Sequence, residues 1–247
     1  MHFEVVTIFP AMFEIVKDFS IINRGIKKNL LTITPHNLRD YTDDKHKTTD
    51  DAPFGGGAGM LMKVEPFYRA IKLIKSNPKS AKNPKVVLMT PQGEKLDQPM
   101  VRKLALEDQI IILTGRYEGV DERVRHLVDQ EISIGDYILT GGELAAMVLI
   151  DTVARLQEGL LGDEHSSEDE SFNDSLLEYP HYTRPAEFKG MKTPSVLLSG
   201  DHTKIKEWRR YESIVRTATR RPDLIEKADL STSELAIARN IIEKSKQ

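Results

Sequence analysis

The sequence predicts an α/β domain built on a mainly parallel sheet, followed by a smaller helical and basic C-terminal part. Three observations carry this. Short apolar runs such as KVVLMT (Lys85 to Thr90) and QIIILT (Gln109 to Thr114) alternate with helix-like stretches over the first two thirds of the chain. These runs are continuous, as in strands covered on both faces by helices, which is the habit of parallel sheets. Several of them also exit into Gly-containing loops that lead on to a helix, as βα units do.

Phe3 to Phe9 reads as the first strand and Leu31 to Pro35 as the second. Lys85 to Thr90, Gln109 to Thr114 and Glu131 to Ile134 follow. Val64 to Ser76, Gln98 to Glu107 and Glu143 to Glu158 carry helical apolar periodicity. Gly159 to Glu178 then breaks the pattern with seven acidic residues, no Lys or Arg, and a Ser-rich run, HSSEDESFNDS. Such a segment has little apolar area to bury. The expected division is a domain over 1–160, an acidic linker over 161–178 and a helical domain over 179–247. Lys204 to Lys227 holds eight Lys/Arg against four Asp/Glu.

The 247 residues are 39% hydrophobic, enough for a sizeable core. A formal net charge of -3 gives no global attraction to nucleic acid, so such binding has to come from local patches. The chain has no Cys, which excludes disulfide scaffolds, thiolate metal sites and Cys nucleophiles. Glu4, Pro10 and Glu14 interrupt the apolar N-terminus and no basic residue precedes it, so it reads as neither signal peptide nor membrane span. A soluble cytoplasmic protein is the expectation.

DDAPFGGGAGM (Asp50 to Met60) is not a Walker loop, because no Gly-Lys-Ser/Thr follows. It is not a dinucleotide fingerprint either, since Pro10 rather than a Gly-rich turn follows the first strand. TPQGE (from Thr90), ILTGRYEGVDERV (from Ile112) and SIGDYILTGGELAAM (from Ser133) instead sit at three strand exits. Turn chemistry alone explains any one of them, because Gly allows positive φ. Three together at the C-terminal ends of parallel strands form a ligand crevice in which main-chain groups can reach a flat, polar, nucleoside-like molecule.

These strings resemble the bacterial tRNA (guanine-N1-)-methyltransferase family of the SPOUT methyltransferases. TIFPAMFE, NLRDYTDDKHKTTDDAPFGGGAGM, TPQGE, GRYEGVDERV, IGDYILTGGELAAM, SFNDSLLEYPHYTRP, LLSGDH and RRPDL occur in order over nearly the whole chain. The resemblance implies a trefoil knot at the cofactor site, a homodimer with shared active sites, S-adenosylmethionine as methyl donor, tRNA as substrate and an association with Mg²⁺. No metal-ligand spacing locates that ion. By the same resemblance the cofactor is held by Thr90, Pro91, Gln92, Gly93, Gly115, Tyr117, Glu118, Gly119, Ser133, Ile134, Gly135, Asp136, Tyr137, Ile138, Leu139, Gly141 and Gly142.

The implied target is N1 of the guanine just 3′ of the anticodon. That nitrogen carries a proton at neutral pH, so the reaction needs a base near N1 and a cation or hydrogen-bond donor near O6. Asp151 and Arg155 stand four apart on an apolar helix. They make either a surface ion pair or an Arg held at an interface, and the resemblance assigns Arg155 to the target base. The family's catalytic Asp directly precedes Ser-Phe. Here Glu170 precedes Ser171-Phe172, with Asp169 one residue earlier. Alignment selects Glu170 and chemical identity selects Asp169. Glu170 is preferred because Phe172 and Leu176-Leu177 are expected to fix the register. Trp208, Arg209, Arg210, Tyr211, Arg216, Arg220 and Arg221 are the candidate RNA-holding cluster, or a helical surface with snorkelling arginines around a buried Trp208. Two alternatives remain at this stage. One is a SPOUT ribose 2′-O-methyltransferase, which needs no base for a ring N–H. The other is a non-catalytic RNA-binding protein on the same fold.

Overall fold

The computed structural model describes residues 1–161 and 170–245, and the chain divides into two compact units, Met1–Gly162 and Asp163–Gln247. The first unit runs β1 (His2–Thr7), α1 (Met12–Asp18), α2 (Ser20–Lys27), β2 (Thr32–Asn37), β3 (Asp50–Asp51), β4 (Leu61–Met62) and α3 (Val64–Lys75). It continues with β5 (Lys85–Lys95), α4 (Gln98–Leu104), β6 (Gln109–Thr114), β7 (Gln130–Ser133) and α5 (Glu143–Ala154). Short 3₁₀ turns follow β2 and precede β7.

Five strands form one parallel sheet in the order β2-β1-β6-β5-β7. Alternate residues of the central strands enter two separate cores. Phe3, Val5, Ile110 and Ile112 join Phe13, Leu104, Leu149 and Val153 on one face. Val6, Ile111 and Leu113 join Leu38, Phe67 and Ile71 on the other. Every residue of β6 is buried, which is why its sequence reads as an unbroken apolar run.

Several boundaries differ from the sequence expectation. β1 stops at Thr7 rather than Phe9, because the Phe9 N–H donates to Thr7 Oγ1 (2.9 Å) and turns the chain. β2 runs to Asn37, and β7 spans Gln130–Ser133. β5 extends five residues beyond Thr90. Its pairing with β7 is interrupted between Met89 and Glu94 and then resumes, with Glu94 opposite Ile132 and Lys95 opposite Ser133. α3 ends one residue early, at Lys75, and α4 at Leu104 rather than Glu107. α5 ends at Ala154 rather than Glu158, so Arg155 is its C-cap. α1 and α2 were not anticipated, since each is short and Phe19 and Ser20 break them apart with extended and left-handed backbone.

In the second unit, a hairpin of β8 (Glu187–Phe188) and β9 (Met191–Lys192) precedes α6 (His202–Arg220), α7 (Pro222–Ile225) and α8 (Thr232–Lys244). Ile214, Ala218, Ile225 and Ala238 form its core with Leu176. α8 begins with a capping box between Ser231 and Glu234. Glu234 also accepts a 2.7 Å hydrogen bond from Arg210 Nε. That guanidinium and the Ser231 N–H and hydroxyl hold the carboxyl down at about 2, against an ordinary 4.5. A depressed folded pKa means the stabilisation is complete above the ordinary value and vanishes as pH falls through the folded one. Glu234→Gln is therefore expected to lower the thermal midpoint at neutral pH. Its difference from wild type should shrink as pH falls from about 4.5 toward 2, read by melting curves across that window. A pH-independent difference would show that the ion pair is not its source.

Candidate active site

The three Gly-containing strand exits converge at the C-terminal edge of the sheet. The first is the interruption in β5. Gly93 lies on the backbone of β7, where an added Cβ would stand 2.4 Å from Ile132 N and 2.5 Å from Glu131 C. That contact requires Gly. It turns Thr90, Pro91 and Gln92 out of the β7 ladder before pairing resumes. Leu96 N–H closes the feature on Ser133 O at 2.8 Å.

The second exit begins at Gly115. Arg116 forms an antiparallel bridge with Gly141, and the Gly142 N–H donates to Gly115 O at 2.9 Å. The β6 exit is thereby stitched to the segment entering α5. Tyr117 takes a left-handed φ of 60° and is 53% exposed, so its ring is available to a ligand. Glu118 N–H donates to Met60 O, and Gly119 O accepts from Met62 N–H. The GGGAGM loop thus packs on the GRYEG loop, with Gly59 against the Glu118 side chain.

The third exit follows β7. Ser133 Oγ accepts from the Gly135 N–H and donates to Gly135 O, forming a tight turn. Tyr137 folds back, its hydroxyl donating to Ile134 O at 3.2 Å. Asp136 pairs with Lys95 Nζ at 2.9 Å, joining this loop to the end of β5. Tyr137 is 55% and Ile138 80% exposed, so this loop offers apolar surface outward. Leu139 instead packs against the core.

Between these loops and α5 lies a polar network that sequence reading missed. Glu143, the first residue of α5, is fully buried. Its Oε1 accepts from Thr7 Oγ1 (2.9 Å) and lies 3.4 Å from Thr114 Oγ1, while Oε2 accepts from Arg116 Nε (2.9 Å). Thr114 Oγ1 also donates to Val6 O. Removing one member of such a buried pair costs about 3–5 kcal/mol, because the other charge is left uncompensated. Gly141 stands against this pair, and an added Cβ there would come within 2.2 Å of Arg116 Nε and 2.6 Å of Glu143 Oε2. Its small size thus protects the ion pair as well as any ligand space. The only sequence signal was an acidic residue at the start of an apolar helix, which also suits a helix N-terminus.

A profile of the family described as tRNA (Guanine-1)-methyltransferase TrmD matches residues 1–227. The chain belongs to the tRNA (guanine-1)-methyltransferase family. A tRNA (guanine-N(1)-)-methyltransferase of Sulfurihydrogenibium sp. (strain YO3AOP1) is 52% identical over 243 residues, covering 98% of this chain and 94% of that protein. Those of Geotalea uraniireducens (strain Rf4) and Dictyoglomus turgidum (strain DSM 6724 / Z-1310) are 53% and 46% identical, covering 95% and 98% of this chain and 94% and 96% of theirs.

The remaining positions singled out by likeness to this methyltransferase family lie farther along the chain. Arg155 is half-buried at the C-cap of α5, and its N–H donates to Asp151 O at 3.1 Å. Asp151 itself is exposed. Asp169 lies outside the described residues. Glu170 is half-buried in the second unit, its carbonyl accepting from the Asn173 N–H at 3.2 Å. The segment after it is anchored, but not by Phe172, which is 42% exposed. Leu176 is buried, Leu177 N–H donates to Thr217 Oγ1 at 2.8 Å, and Phe172 N–H donates to Leu176 O at 2.7 Å. In the basic cluster Arg210 is committed to Glu234 and Asp229 O, and Arg221 to Asp223. Arg209 stacks over Tyr179 at 4.8 Å. Among the described residues no three His, Asp or Glu side chains are grouped to hold a metal ion, and no helix is long and apolar enough to cross a membrane.

Proposed function

We propose that this chain transfers the methyl group of S-adenosylmethionine to N1 of guanine-37, the nucleotide 3′ of the anticodon in tRNA. The observation that carries this reading is the convergence of three strand exits, two of them seated by glycines on neighbouring backbone at Gly93 and Gly142. Main-chain groups of Thr90 to Gly93, Gly115, Tyr117 to Gly119, Ser133 to Leu139, Gly141 and Gly142 would hold the adenosine, and the exposed faces of Tyr117, Tyr137 and Ile138 would cover it. When bound, the cofactor supplies an activated methyl group with a good leaving group.

The protein's own work is then to position guanine and remove the N1 proton. Glu170 is the proposed base, with Asp169 beside it as the alternative, and Arg155 is proposed to offset the charge developing at O6. A trefoil knot between β5 and α5 accords with the stitching of Gly142 to Gly115 and with β7 lying outside β5. A homodimer accords with α5, where Leu144 and Val148 are 51% and 41% exposed on an otherwise apolar helix. The domain over 179–247 is proposed to hold the tRNA through Arg209, Arg216 and Arg220. A Mg²⁺ ion associated with the family would add positive charge, at a place no described ligand cluster fixes. The cytoplasm is the proposed compartment.

The test is methyl transfer from labelled cofactor to an unmodified tRNA transcript carrying G at the target position, beside one carrying A. Transfer to the first alone, with N1-methylguanosine as the recovered nucleoside, is expected. A 2′-O-methylated product would reject the base-removal chemistry, and no cofactor uptake would reject the enzyme.

A further inference from the structure

In an open parallel sheet, the ligand crevice lies outside the C-terminal ends of two adjacent strands whose onward connections leave in opposite directions. Here those strands are β1 and β6. From β1 the chain moves outward to β2, and from β6 it passes β5 to reach β7. The β6 side of this position is the loop that begins at Gly115, whereas the exit of β1 belongs to none of the three cofactor loops.

Two arginines bracket the exit of β1. On the β2 side, Arg39 Nη1 donates to Ile8 O at 2.8 Å. On the β6 side stands Arg116, its guanidinium 4.6 Å from the centre of the Phe9 ring, which is 42% exposed. The ring holds the guanidinium plane, and buried Glu143 holds its Nε edge. The Nη groups have no oxygen partner among the described residues; Nη2 reaches only Met12 Sδ, at 3.9 Å. An arginine fixed at Nε and against a ring, with its Nη edge open, is pre-organised for an oxyanion. With a formal net charge of -3, the chain can attract a polyanion only through such local cations.

We propose that Arg116 binds a backbone phosphate of the RNA beside the target nucleotide, and that Glu143 is the positioning residue that aims it. The proposal rests on the tRNA-methylating reading above. The other oxyanion within this chemistry is the carboxylate of the cofactor's methionine moiety, and the experiment separates the two.

The doubly substituted Arg116→Gln/Glu143→Gln protein removes both charges together, so no lone charge stays buried. Wild type is first shown to methylate the transcript; failure there counts against the functional reading and not against Arg116. Affinities for unmodified tRNA transcript and for S-adenosylmethionine are then measured separately from 50 to 200 mM salt. The expected result is a loss of about tenfold in tRNA affinity, with the salt slope shallower by about 0.7–0.9, the value of one phosphate contact. Cofactor affinity should stay within about twofold of wild type, a split that general loosening of the fold would not produce. A cofactor loss as large as the tRNA loss would overturn the proposal in favour of the methionine carboxylate. An unchanged salt slope would also overturn it. Should the double variant fail to fold, Arg116→Lys keeps the charge beside Glu143 but cannot hold both partners through a planar fork. It is expected to lose several-fold in tRNA affinity with the salt slope retained, and wild-type tRNA affinity in that variant would reject the role.

Discussion

Glu170→Gln is expected to slow single-turnover methylation by at least about a hundredfold at saturating tRNA and cofactor, the usual scale for losing a positioned general base. The guanine N1 proton has to leave as the methyl arrives, and an amide cannot accept it. Glu170 precedes a segment held at Leu176 by the second unit's core and at Leu177 by Thr217, so its place along the chain is set from its C-terminal side. Asp169→Asn should slow the step far less. A crippled Asp169→Asn with near-normal Glu170→Gln would move the base by one residue. Normal rates in both would leave proton removal to another group or to water.

Gly93→Ala should nearly abolish cofactor binding, although it adds one carbon. The new Cβ would stand 2.4 Å from Ile132 N and 2.5 Å from Glu131 C, both backbone atoms that no rotamer change can move aside. β5 must then separate from β7 where pairing resumes. Overpacking of this kind costs about 1–3 kcal/mol, and it falls where Thr90 to Gln92 leave the ladder. A loss of at least tenfold in S-adenosylmethionine affinity with a lowered melting temperature is the expected result, measured by calorimetric titration and thermal unfolding. Gly119→Ala is the comparison. Nothing lies within 4 Å of an added Cβ there, and the cost is only that of its φ of +119°. Equal effects in the two variants would remove the steric argument at Gly93.

By itself, the sequence determined the kind of sheet. KVVLMT and QIIILT are apolar on both faces, and only strands covered by helices on both sides can afford that composition. It also singled out three Gly-containing strand exits as the candidate cofactor site, because such loops together at the C-terminal ends of parallel strands suit a ligand crevice. Its motifs carried the family through their order along the chain.

Tertiary structure decided what depends on close approach between distant segments. Gly93 reads as a turn residue until β7 is laid beneath it. Glu143 reads as an ordinary N-terminal acid until Thr7, Thr114 and Arg116, from three other parts of the chain, close around it. α1 and α2 escaped periodicity because seven or eight residues span barely two turns. Strand order is likewise silent in sequence. The reversal of onward connections between β1 and β6 arises only because β2 and β7 take opposite edges of the sheet. Local propensity and apolar pattern act over a few neighbouring residues, whereas buried charge pairing and backbone contact are fixed only when segments far apart in the chain share one volume.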